Sequence, residues 1–114
     1  MPTVLTGIDY SGSATVDASG SAAVVLNGPS SGYVEIASIA VACTGSTSIP
    51  QATAYEGSIA APGRVLAVLR AGDIGTFKSD GDRLNAGQQI TVQWTGATVG
   101  ASCRAVLRGK TVKP

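Results

Sequence analysis

The 114 residues contain no histidine, which removes the commonest general base, the usual metal ligand and the side chain that titrates near neutral pH. Gly28-Pro29-Ser30-Ser31-Gly32 has the G-x-S-x-G spacing of a nucleophile elbow, yet Ser30 has no imidazole anywhere in the chain to take its proton. A proline beside turn-forming residues describes a connection between strands. Asp80-Gly81-Asp82 offers two carboxylates to a calcium ion but lacks the dense alternation of oxygen ligands that such a loop needs. A polar hairpin turn over residues 78–83 accounts for it. Asp73, Glu56 and Glu35 stand alone, and no two acids are spaced for glycoside hydrolysis. The expectation is a protein without catalytic residues, cofactor or metal.

Three other side chains could carry chemistry. Cys43 and Cys103 are too few for a zinc site. Without a signal-peptide pattern at the start of the chain they are expected as reduced, buried thiols, a disulfide formed later outside the cell being the alternative. Trp94 could stack on a sugar, but it continues the apolar face of its strand and is expected in the core. Eight basic and seven acidic residues leave a net charge of +1, and the basic ones gather only near the C-terminus. A nucleic-acid partner would call for a concentrated basic footprint, and no apolar run is long enough to cross a bilayer as a helix. Neither nucleic acid nor membrane is expected as a partner.

The elements that must position these residues are strands. Fifteen glycines punctuate the chain, and period-two alternation places strands near residues 13–17, 22–26, 32–43, 52–56, 64–70, 75–78, 88–94 and 101–108. About eight short strands at such intervals predict one all-β domain over residues 1–114, an antiparallel β-sandwich or jelly roll. Ile90, Val92 and Trp94 share one face with Gln89, Thr91 and Gln93 opposite. In the last strand Ala101, Cys103, Ala105 and Leu107 point inward, leaving Ser102, Arg104 and Arg108 on a wet or partner-facing side. The apolar parity flips between Val34/Ile36 and Ile39/Val41/Cys43, so a bulge near Ala37 and Ser38 would return both sets to one core.

The echo of Ser11-Gly12-Ser13-Ala14-Thr15-Val16 in Ser19-Gly20-Ser21-Ala22-Ala23-Val24 predicts a hairpin around Asp17 and Gly20. Residues 1–10 carry Val4, Leu5, Ile8 and Tyr10 without clean alternation, the pattern of an extended arm that could add to a neighbour's sheet, with an ordinary first strand as the alternative. Residues 109–114 read as a short basic tail. The candidate partner-binding residues are therefore Val4, Leu5 and Ile8 in the arm and Arg104 and Arg108 on the last strand.

Leu84-Asn85-Ala86-Gly87-Gln88-Gln89-Ile90-Thr91-Val92-Gln93-Trp94-Thr95-Gly96-Ala97-Thr98-Val99-Gly100-Ala101 follows the pattern L-x-x-G-[EQ]-x-[IL]-x-V-x-W-T-G-A-x-x-G-A. It resembles small β-sandwich structural proteins of actinobacterial tailed phages, which occur as capsid decoration or minor tail components. Ile39-Ala40-Val41-Ala42-Cys43-Thr44-Gly45-Ser46-Thr47 and Ala54-Tyr55-Glu56-Gly57-Ser58 are similar to further segments of that group, whereas residues 60–77 depart from it. The resemblance spans residues 32–109 and implies a virion protein on the capsid exterior, made in the host cytoplasm, which binds the major capsid protein as a homo-oligomer or in a symmetric array and stabilises the shell. A minor tail or baseplate component and a carbohydrate-binding adhesin module are the alternatives it leaves. It transfers no catalytic residue.

Overall fold

The structure is a computed structural model that describes residues 3–29, 31–57, 63, 65–70, 74–76 and 83–113. The strands are β1 (Thr3–Thr15), β2 (Ala22–Asn27), β3 (Tyr33–Thr44), β4 (Gln51–Glu56), β5 (Val65–Arg70), β6 (Ile74–Thr76), β7 (Arg83–Asn85), β8 (Gln89–Thr95) and β9 (Ser102–Lys113). They build two antiparallel sheets, one in the order β1-β9-β3 with β6 and β7 beside β3, the other β2-β8-β4-β5. Residues 33–35 and 38–40 of β3 pair with β9 along one edge and with β7 and β6 along the other. β6 and β7 are thus two halves of one edge strand, and the sheets hold eight strand positions.

The pairing has one organising logic. β1 lies against β9, β2 against β8, β3 against β6 and β7, and β4 against β5, as in one long antiparallel ribbon whose open end holds both termini. Rolling that ribbon brings β9 onto β3 and β8 onto β4. Most successive strands therefore change sheet, which is the jelly-roll arrangement.

Three expectations change accordingly. The echoed segments do not form a hairpin: β1 and β2 lie in different sheets, and residues 16–21 arch between them. Period two tells which residues share a face but is silent on which strands are neighbours. Residues 3–10 are the first half of β1, not a free arm; Thr3 pairs with Lys113, Leu5 with Thr111 and Ile8 with Gly109. Their alternation is irregular because the register slips between Leu5 and Ile8. The supposed tail is the last third of β9, where Thr111 is buried and shares a 3.0 Å hydrogen bond with the Tyr10 hydroxyl.

The core lies between the sheets. Val24, Leu26, Ile90, Val92 and Trp94 enter it from one, and Val34, Ile36, Ile39, Val41, Ala105 and Leu107 from the other. On β3 the pairing skips Ala37, which is exposed, so Ile36 and Ile39 are both buried; this is the bulge that the parity flip calls for. Gly109 stands where both neighbours of β9 are irregular. A Cβ there would collide with the backbone oxygen of Glu35, so only glycine lets β9 approach β3 at this point.

Candidate functional site

β9 is the middle strand of its sheet, and its outward side chains stand on a floor set by β1 and β3. Arg104 is flanked in register by Ser13 and Ala42, Val106 by Ser11 and Ala40, and Arg108 by Asp9 and Ser38, with Lys110 beside Glu35. Arg104, Arg108 and Lys110 are exposed. The long basic side chains form a ridge along β9, with short serine and alanine beside Arg104 and the acids Asp9 and Glu35 in register beside Arg108 and Lys110. Arg104 makes no ion pair among the described residues. Both arginines that the sequence places outward belong to this ridge. Val4, Leu5 and Ile8 lie at the far end of β1, and their side chains are outside the described part of the structure.

The outer face of the other sheet differs in kind. Ala23, Val25 and Asn27 of β2 lie beside Gln93, Thr91 and Gln89 of β8, and Thr53 and Tyr55 of β4 continue these rows. Neither β2 nor β8 contains a charged residue. Thr91 and Thr53 are buried on this face, and Thr91 Oγ1 donates a 2.8 Å hydrogen bond to the Gly57 carbonyl. Trp94 is 0% exposed, which closes it to a sugar. Ile90 and Val92 line the core with it.

At one end, the loop after β3 is tied to the loop after β8. Thr98 Oγ1 accepts from the Thr47 amide at 2.9 Å, Ser46 Oγ accepts from the Thr98 amide at 3.1 Å, and the Ser48 hydroxyl donates to the Gly96 carbonyl at 2.7 Å. The neighbouring Ile49 and Val99 are 72% and 60% exposed. Nothing in the local sequence signals that knot, because its two halves are 51 residues apart. The same end holds the cysteines. Cys43 and Cys103 are directly opposite on β3 and β9, with the sulfurs 3.2 Å apart. Cys103 is buried as expected, whereas Cys43, close to the end of β3, is half-buried. Burial, reinforced by the adjacent Cys43 thiol, pushes the Cys103 pKa well above the ordinary thiol range.

At the opposite end a cleft of about 390 Å³ opens between the sheets, lined by Ile36, Leu84, Leu66, Ile90, Glu56 and Arg83 among others. Its guanidinium is already engaged: Arg83 stacks 4.4 Å from the Tyr33 ring centroid and lies 3.9 Å from the Glu35 carboxylate. Glu56 is the only carboxylate in its lining among the described residues. The described residues contain no group of three or more His, Cys, Asp or Glu that could hold a metal and no helix long and apolar enough to cross a membrane. Ser30, Asp73 and the Asp80-Gly81-Asp82 turn lie outside the described residues. No protein-family model and no curated protein matches the chain.

Proposed function

We propose that the chain is a structural protein of a virion, a capsid decoration protein that seats on the shell of major capsid protein and stiffens it by repetition. The observation that carries this reading is the β9 ridge, in which Arg104 rises from a floor of serine and alanine and the exposed Arg108 and Lys110 continue the basic row. Such a surface suits a broad acidic protein face better than a small ligand, since long cations over a flat sheet make dispersed contacts rather than an enclosing pocket. Two further points support it. The resemblance over residues 32–109 is to virion proteins, and the jelly roll recurs in viral capsid domains, although a shared fold alone does not assign a function. The mechanism needs no catalysis: each copy would bury about 800 Å² per partner, and symmetry would multiply a modest interface over the shell.

The test is co-sedimentation of the purified protein with shells that lack it, with bound copies counted per major capsid subunit. Saturable binding in fixed ratio to that subunit, weakened at least tenfold by Arg104→Glu and by raised salt, is the expected result. Binding confined to the tail, or unaffected by the charge reversal, would overturn the assignment to the capsid through this face.

A further inference from the structure

We propose that Cys43 and Cys103 are a disulfide site whose oxidation staples β3 to β9 at the point where the rolled ribbon closes on itself. The register already places the two residues opposite each other, and their sulfurs are 3.2 Å apart with nothing between them. Cα atoms of directly opposite residues in an antiparallel pair lie about 4.5 to 5.5 Å apart, inside the range that a disulfide spans. Closing the bond therefore asks for a small movement of side chains and none of strands.

The oxidant is a small-molecule disulfide such as glutathione disulfide. Cys43, half-buried near the end of β3, is the thiol that it can reach. The Cys43 thiolate attacks one sulfur of the oxidant, forming a mixed disulfide and expelling one thiolate. Cys103 then gives its proton to solvent, and its thiolate attacks Cys43 Sγ, expelling the second. Two protein thiols have been oxidised to one bond, and one external disulfide reduced to two thiols. Burial disfavours the Cys103 thiolate, so the second step is the slow one and quickens as the pH rises.

The location gives the bond its consequence. β3 and β9 are not partners along the ribbon; they meet only when it rolls, so unrolling must separate them. Residues 60 apart in sequence would be joined there, a long loop to exclude from the unfolded chain. Made in a reducing compartment and oxidised after leaving it, the protein would be fixed in its rolled state.

The experiment uses the full chain, reduced, then incubated with glutathione disulfide at several pH values, quenched in acid, unfolded and alkylated. The expected product is a monomer lighter by two hydrogens, with no alkylated thiol and a peptide linking Cys43 to Cys103. Its melting temperature should rise by on the order of 10 °C. Cys43→Ala, treated alike, should show no rise, with Cys103 alkylated only after unfolding. Two alkylatable thiols in treated wild-type protein, a persistent glutathione adduct on Cys43, or a bridge between two chains would each overturn the proposal. None of these results depends on the virion reading, which stands or falls on shell binding.

Discussion

β8 and β9 are inner strands, one in each sheet, flanked on both sides for most of their length, and they solve the same problem inside and opposite ones outside. Each sends every second residue into the shared core: Ile90, Val92 and Trp94 from β8, and Cys103, Ala105 and Leu107 from β9. β8 pairs with β2 and β4 without a slip and carries an uncharged outer row. β9 slips against both neighbours around Gly109 and carries a basic ridge. The interior fixes register, because a one-residue slip would turn each apolar set out to water. The outer rows are under no such constraint, so differences between them record what each face meets. The longer strand, whose two neighbours each carry an extra residue and bend around Gly109, is the one that presents charge.

The largest effect should come from the inner row of β8. Trp94 is the bulkiest of the fully buried side chains, and Trp94→Ala should cost about 3 to 5 kcal/mol through lost burial and a cavity, read as a fall in the urea midpoint. Trp94→Phe sharpens the point. The indole Nε1–H is buried and meets no acceptor among the described residues, and an unmet buried donor costs about 1 to 3 kcal/mol. Phenylalanine gives up ring area but removes that donor, so its cost should be less than half that of alanine. Equal losses for the two variants would mean that the N–H is satisfied.

On β9 the sensitive position is an absence of side chain. Gly109→Ala puts a methyl group against the Glu35 carbonyl oxygen, and backbone on a central strand cannot step aside as a flexible side chain would. A loss of about 1 to 3 kcal/mol is expected, with faster hydrogen exchange in residues 33–36 and 108–111 and little change in β8. A uniform rise in exchange over both sheets would erase the contrast between a β9 with irregular pairing around Gly109 and a regular β8.

These two positions also mark what the sequence discloses. Trp94, Val92 and Ile90 announce their burial by alternation, as do Arg104 and Arg108 their exposure, since period two needs only neighbouring residues to be seen. The bulge at Ala37 is legible for the same reason, because a parity flip within one strand is a local signal. Partnership is not local. Ser13 and Ala42 become the floor under Arg104 only through pairing across most of the chain, and Cys43 meets Cys103 only after the ribbon has rolled. Gly109 beside charged residues reads as the start of a tail when it is where the β9 backbone comes against that of β3. The irregular run through Val4, Leu5 and Ile8 reads as an arm for a related reason: the register slip that breaks its alternation is invisible until β9 is known to be its partner.

The smallest effect concerns the arch that joins the β9 sheet to the β8 sheet, and it tests whether the two are independently held. Asp17 Oδ1 accepts hydrogen bonds from the Ser19 hydroxyl at 2.6 Å, the Ser19 amide at 2.9 Å and the Ser21 amide at 3.2 Å. Gly20, at φ +80°, completes the turn, and the arch is sewn to the β8–β9 loop by Val16 N to Ala101 O at 2.8 Å and Ala97 N to Gly20 O at 3.1 Å. The Ser19 hydroxyl, then the Ser21 and Ser19 amides, hold the Asp17 carboxyl below its ordinary value of 3.8. A carboxyl depressed by folding contributes stability that is present above its unfolded value and is lost as the pH falls toward and through the lower folded value. Asp17→Asn keeps an acceptor oxygen but no charge, so it should unfold at lower urea than the wild type near neutral pH, and the gap should close below pH 3.8. The group is fully exposed, so the gap should be the smallest of the three effects. A gap that persists unchanged into acid would show that the carboxylate's charge adds nothing, leaving the backbone bonds alone to join the sheets.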